Sequence, residues 1–208
     1  MIYKTAPIFA VASGVSTLAA PASAQSKAAQ MDKPVELTSS TRILNAERPG
    51  QTIRVSDFAR EKKTVVLVFL ANRCGVTWLY VDKITALQKQ YASKTDVTFI
   101  GVHSNHEESD RELTDALTKR GVKITVLDDK PRQEIARYFG AKVTPYFVVI
   151  DAKGVLRYKG PLDKMGGSVA ESRRPQYLRP AVDAVLTGKP VQLKTVRALG
   201  CEITPRKP

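Results

Sequence analysis

Apolar and polar positions along the chain predict strands that alternate with helices. Continuous apolar runs over residues 64–71 (TVVLVFLA) and 97–102 (VTFIGV) are typical of strands buried on both faces. From Gly75 the apolar positions recur at steps of three or four, which predicts an amphipathic helix. Cys74 therefore lies at the junction between a buried strand and a helix.

The alternation continues to the end of the domain. Ser109 with Glu112 three residues later is a capping-box pattern that begins a second helix. The pattern further predicts a strand over 122–127, a helix over 130–139, a hairpin of strands over 145–150 and 155–160, and a last helix over about 176–186. This order predicts an α/β fold of three layers, with a mixed central sheet flanked by helices. Functional groups in such sheets gather beyond the carboxyl ends of the strands, where Cys74 is placed.

The first 24 residues have the pattern of a signal peptide. Lys4 precedes an apolar stretch over 6–20, and a small-x-small cleavage pattern follows over 22–24. We expect export and removal, so that the protein is periplasmic or extracellular without stable membrane insertion; an uncleaved anchor is the alternative. The rest of the chain is predicted to comprise a flexible N-terminal segment (25–46), one domain (47–190) and a basic C-terminal tail (191–208) that carries Cys201.

The chain is strongly basic, with a formal net charge of +13. Removal of the leader lowers this charge by one, so the excess belongs to the folded part. No aromatic residues are interleaved with the basic clusters, as a nucleic-acid platform would need. We therefore expect a solvated basic surface and no nucleic-acid partner.

The sequence has two cysteines, Cys74 and Cys201. This number excludes a disulfide-stapled miniprotein and a four-ligand structural zinc site. A thiolate at Cys74 would be stabilised by the free N–H groups and the positive dipole of the helix start, and by Arg73 if its side chain turns inward. A buried, inert cysteine is the alternative interpretation.

A second motif strengthens the case for chemistry at Cys74. The segment VTPYFVVID (143–151) places Pro145 at the start of a buried strand, where a cis bond is plausible. The strand VVLVFLANRC and the motif VTP together resemble the thioredoxin superfamily, and GQTIRVSDF (50–58) is similar to its redoxin branch (AhpC/TSA-type and TlpA-like proteins). The predicted strand-helix insertion between the cysteine and the Thr-Pro loop also agrees with the redoxin branch. The resemblance covers about residues 49–189 and implies Cys74 as the attacking thiol and a substrate groove formed by Arg73, Thr77, Thr144 and Pro145.

The chain departs from the patterns of these relatives. Thr77 stands where a thioredoxin C-x-x-C motif has its second cysteine, which removes dithiol exchange within the motif. Ala71 stands where peroxiredoxins carry a threonine three residues before their cysteine. The stretch CGVT followed by Tyr80 is similar to the glutathione-peroxidase motif, without the Gln and Trp-Asn partners of that family. A thiol peroxidase and a thiol-disulfide oxidoreductase both remain open.

Cys201 offers a route to resolve an oxidised Cys74, within the chain or across a homodimer. A structural disulfide is the competing interpretation; closing a loop of about 127 residues would stabilise the fold by on the order of 5 kcal/mol. His103 and His106 are interpreted as surface loop histidines; the alternative is that they approach Cys74 or bind a metal with it, as in copper-handling relatives. Neither a metal nor another cofactor is predicted.

We predict an exported, thiol-dependent oxidoreductase with an antioxidant role, and its partners would be a thiol or disulfide protein or a small peroxide. The alternative is a redox-silent thioredoxin-like binding module, in which Cys74 and Cys201 are structural or unpaired.

Overall fold

A computed structural model describes residues 27–45, 50–60, 63–93, 96–165, 170 and 173–206. The predicted signal peptide (1–24) lies outside these residues. The strands are β1 (Ser40–Ile43), β2 (Thr52–Arg54), β3 (Thr64–Phe69), β4 (Val97–His103), β5 (Thr125–Asp128), β6 (Val143–Thr144), β7 (Tyr146–Ile150), β8 (Leu156–Gly160) and β9 (Cys201–Glu202). The helices are α1 (Val55–Arg60), α2 (Gly75–Ala92), α3 (Asp110–Lys119), α4 (Glu134–Phe139) and α5 (Leu178–Leu186).

Seven strands form a mixed central sheet in the order β2-β1-β5-β4-β3-β7-β8. Strands β3, β4 and β5 are parallel, whereas β7 and β1 run antiparallel to their neighbours β3 and β5. Successive residues of β3 point to opposite faces, as a strand requires. Val66 and Val68 pack in one core with α2, α3 and α5, and Val65 and Leu67 pack in another with α1 and α4. The predicted three-layer fold is confirmed.

The N-terminal segment differs from the prediction. Residues 25–46 were expected to be flexible, but within the described part β1 joins the sheet and pairs with β5. Leu37 and Ile43 are buried in the core, and Arg42 forms an ion pair with Asp128 at 2.9 Å. One face of β1 is exposed, so its short run of mixed polarity lacks the continuous apolar signal of a central strand.

Helix α4 begins later than the predicted residue 130. Gln133, just before it, adopts a left-handed conformation with φ of 50°. The carboxylate of Asp129 accepts hydrogen bonds from the backbone N–H groups of Ile135 (2.8 Å) and Ala136 (3.0 Å). These bonds satisfy donors that the first turn of a helix leaves free, which fixes the start of α4.

The C-terminal tail folds back along the domain. Strand β9 pairs antiparallel with β6 as a separate two-stranded sheet, with Cys201 opposite Thr144. Among the described residues, none of the helices is long and apolar enough to cross a membrane.

Candidate active site

The topology of the sheet brings Cys74 and the Thr144–Pro145 segment together. Because β7 runs antiparallel to β3, its first residue Tyr146 lies opposite Phe69, the last residue of β3. The residues that follow β3 and those that precede β7 therefore meet at the same edge. The Thr144–Pro145 bond is cis, and the Cys74 thiol donates a hydrogen bond to the carbonyl oxygen of Thr144 at 3.1 Å.

Helix α2 holds the Cys74 sulfur at its N-terminus. Cys74 is the N-cap residue, and its sulfur accepts the backbone N–H of Thr77 at 3.4 Å. Thr77 is fully buried, and its hydroxyl accepts the backbone N–H of Ala71 at 3.5 Å. Thr77 thus contacts the sulfur and the strand end that precedes it.

Cys201 lies directly against Cys74. The two sulfurs are near enough for each thiol to change the pKa of the other, and the backbone N–H groups of Gly75 and Val76 are near enough to oppose the rise in the pKa of Cys201. Both cysteines are free thiols; Cys74 is 1% exposed, whereas Cys201 is partly exposed. The start of α2 therefore supplies N–H donors to both sulfurs.

The two thiols differ in acidity. Burial by itself raises the pKa of Cys74, but the neighbouring side chains of Cys201, Thr144 and Thr77, together with the Thr77 backbone N–H, favour the thiolate and hold the pKa below that of an ordinary thiol. Burial and the neighbouring Cys74 raise the pKa of Cys201. As the pH rises, Cys74 therefore loses its proton before Cys201 does, so the thiolate forms first on Cys74.

Glu108, which the sequence analysis did not select, anchors the loop before Cys74. Its buried carboxylate accepts the backbone N–H groups of Asn72 and of Arg73, the latter at 2.8 Å. Burial raises the pKa of Glu108, but the nearby His103 ring and the hydrogen bonds from these two N–H groups hold it below its usual range. The ionised carboxylate thus fixes the two residues that precede Cys74. Its position after the carboxyl end of β4 was the one sequence signal for this role.

The prediction of surface loop histidines is wrong for His103, whereas His106 lies in the loop between β4 and α3. His103 is the last residue of β4 and fully buried, with its Nε2 atom 3.5 Å from Glu108 and its Nδ1 atom 3.5 Å from Asp110. His106 is partly buried, and its Nδ1 atom lies 3.0 Å from the carbonyl oxygen of Thr204 in the tail. No cluster of three potential metal ligands occurs among the described residues.

The predicted groove residues have different positions. Thr77, Thr144 and Pro145 are buried around the Cys74 sulfur, as their bonds and burial show. Arg73 instead is largely exposed and pairs with Glu112 at 3.4 Å. Its guanidinium is therefore directed along the surface, and the contacts that lower the pKa of Cys74 do not include it.

A cleft of about 670 Å³ lies at the opposite end of the sheet, beside the starts of β3 and β4. Four of its charged residues pair with one another: Asp32 binds Arg157 and Lys194, and Asp151 binds Arg157. The cleft is thus separate from the cysteines, and the candidate chemistry lies at the Cys74 edge.

We expect the Glu108→Gln variant to lose about 2 kcal/mol of unfolding free energy, because one of two buried backbone N–H groups loses its charged acceptor. Cys74 should also react several-fold more slowly, since its loop is less well fixed. Urea unfolding and the rate of thiol alkylation measure the two effects. Glu107→Gln, at the exposed neighbouring position, is the matched control; equal behaviour of the two variants would contradict the assigned role of Glu108.

Comparison with known proteins gives one family and several solved structures. The Redoxin family model matches residues 19–172. An uncharacterized conserved protein from Geobacillus kaustophilus superposes with a TM-score of 0.69 at 24% identity, over 86% of this chain and 95% of that one. A hypothetical protein from Sinorhizobium meliloti 1021 gives 0.66 at 24% identity, over 85% and 93% of the chains. MTB dsbF, solved in mixed oxidized and reduced forms, gives 0.53 at 20% identity, over 72% and 96% of the chains. No curated protein matches the sequence.

Proposed function

Since the chain belongs to the Redoxin family, whose model matches most of its length, we propose that it is an exported thiol oxidoreductase in which Cys74 and Cys201 form the redox couple. The observation that carries the proposal is that Thr144, whose carbonyl oxygen accepts the Cys74 thiol at 3.1 Å, pairs with Cys201 in the β6–β9 sheet. The lowered pKa of Cys74 and the raised pKa of Cys201 agree with it. Export rests on the leader pattern of residues 1–24.

The peroxide reaction has two chemical steps. The Cys74 thiolate attacks the terminal oxygen of a hydroperoxide, the O–O bond breaks, and the products are a sulfenic acid on Cys74 and an alkoxide that takes a proton to become an alcohol. The Cys201 sulfur then attacks the sulfenic sulfur, and water leaves as the disulfide forms. The two thiols have now given up two electrons, and an external dithiol restores them by thiol-disulfide exchange.

Oxidation by a small disulfide is the second candidate reaction. Cys74 would attack one sulfur of that disulfide, break its S–S bond and release the other sulfur as a thiolate. Cys201 would then attack the Cys74 sulfur of the mixed disulfide, so that the second thiolate leaves and the same internal bond forms. The thioredoxin-like fold supports this chemistry as well, because MTB dsbF has that fold and its solved structure contains oxidized and reduced forms. The redox-silent alternative is disfavoured by the lowered pKa of Cys74, since a purely structural buried thiol has a raised pKa.

The direct test is to treat the reduced protein with one equivalent of hydrogen peroxide and map its disulfides by mass spectrometry. We expect a bond between Cys74 and Cys201 within one chain. The rate should fall as the pH falls through the lowered pKa of Cys74, because the thiolate is the reactive form. Cys74→Ser should remain unoxidised under the same conditions. Two free thiols after treatment of the original protein would rule out the proposed couple.

A further inference from the structure

The tail occupies the backbone edge beside Cys74. Thr144 pairs with Cys201 and Val143 with Glu202, and Ile203 donates its backbone N–H to the carbonyl oxygen of Lys142 at 2.9 Å. An extended segment of another protein that approached this edge would need the same backbone groups. The site for such a segment is therefore filled by the protein's own chain.

Gly200 allows the tail to approach this closely. A Cβ atom at this position would lie 2.2 Å from the carbonyl oxygen of Thr144 and 2.9 Å from its carbon. Both atoms belong to the backbone and cannot move aside as a flexible side chain would. A side chain at residue 200 would therefore push β9 away from β6.

Both flanks of β9 are fastened to the domain. Before β9, the backbone N–H of Lys159 donates to the carbonyl oxygen of Lys194 at 2.9 Å, and the backbone N–H of Val196 donates to the carbonyl oxygen of Lys159 at 3.1 Å. These bonds hold the tail along β8.

After β9, Ile203 is buried in the core. The side chain of Gln133 donates to the Thr204 carbonyl at 2.8 Å and accepts the Arg206 N–H at 2.8 Å. Removal of β9 from its edge thus requires the loss of several backbone bonds and the exposure of an apolar side chain.

Molecules of different size have unequal access to Cys74. Cys74 is 1% exposed, whereas Cys201 in β9 is partly exposed. A small molecule can enter through rotations of side chains, such as that of Cys201 about its single χ1 torsion, while the backbone of β9 stays in place. A folded protein needs the strand itself to leave, because its own chain must come within bonding distance of Cys74.

We propose that the tail selects the oxidant of Cys74 by size: it admits small hydroperoxides and small disulfides and excludes disulfides carried by folded proteins. The proposal rests on the proposed function and specifies its substrate class. The reaction of an admitted hydroperoxide is the one given above, with the O–O bond broken, two electrons taken from the thiols, and water and an alcohol released. A disulfide carried by a folded protein, in contrast, should not form a mixed disulfide with Cys74.

The experiment compares two oxidants on the reduced full-length protein: hydrogen peroxide and the disulfide form of DsbA, a strong protein oxidant. In Gly200→Val, which displaces β9, we expect oxidation by DsbA to be at least about tenfold faster than in the original protein, because a steric barrier has been removed. The first oxidation of Cys74 by peroxide should not accelerate and should slow at neutral pH, because displacement of β9 also takes away Cys201, which helps to lower the pKa of Cys74. Leu199→Val, at the exposed adjacent position, should match the original protein with both oxidants.

Gln133→Ala releases the end of the tail without inserting a side chain, and it provides a second variant if Gly200→Val does not fold. We expect it to accelerate oxidation by DsbA as well. Equal DsbA rates in the original protein and in the folded tail variant would overturn the size selection. That result is distinct from failure of the proposed function, which would appear as the absence of a Cys74–Cys201 disulfide after peroxide treatment of the original protein.

Discussion

The Cys201→Ser variant is expected to undergo the first oxidation of Cys74 at nearly the original rate and then to stop. Serine keeps a hydrogen-bond donor beside the Cys74 sulfur, so the lowered pKa should largely persist. The internal thiol acts at a high effective concentration, and its loss should slow the resolution of the sulfenic acid at least about hundredfold. Excess peroxide should therefore drive Cys74 to the irreversible sulfinic acid.

Peroxide consumption in the presence of a dithiol reductant measures turnover, and mass spectrometry of the Cys74 peptide measures its oxidation state. Cys74→Ser is the control, because it removes the nucleophile and should abolish both the first step and turnover. A Cys201→Ser protein that turns over as fast as the original would show that an external thiol resolves Cys74 unaided. In that case Cys201 would have no part in the reaction cycle.

The central fold could be predicted from the sequence because its signals are strong and local. Strand β3 is buried at all six positions, and its apolar run has no interruption. Helix α2 begins at the predicted Gly75. Strands β1 and β9 were not predicted, since they are four and two residues long and have exposed positions. Such strands depend on tertiary pairing rather than on their own pattern.

The residues of the candidate site also differ in how far the sequence could predict them. Cys74, Thr144 and Pro145 were found because they belong to motifs with fixed spacing. The contact between Cys201 and Cys74 depends on the course of a tail far along the chain, and pairing of cysteines cannot be derived without distances. Glu108 and Gly200 act through backbone contacts to distant segments. Neither the glutamate nor the glycine has a side-chain pattern that would reveal such a partner.

The Thr77→Cys substitution in the Cys201→Ser background is expected to restore an internal disulfide. Residue 77 lies one turn into α2, and its backbone nitrogen is 3.4 Å from the Cys74 sulfur. Cysteine is close to threonine in size, so the buried position should accept it with little strain. The introduced thiol should raise turnover with peroxide at least about tenfold above that of Cys201→Ser, because an internal thiol can again release oxidised Cys74.

Thr77→Ser in the same Cys201→Ser background is the matched control, since it keeps a hydroxyl at the position and adds no thiol. Peptide mapping after peroxide treatment should find a disulfide between Cys74 and residue 77 only where the thiol was introduced. If Thr77→Cys behaves like Thr77→Ser, position 77 lacks the geometry for a bond to Cys74. If the bond forms and turnover recovers, a thiol at residue 77 in α2 can resolve oxidised Cys74. Cys201 in the tail would then have the same role as a second cysteine within the helix.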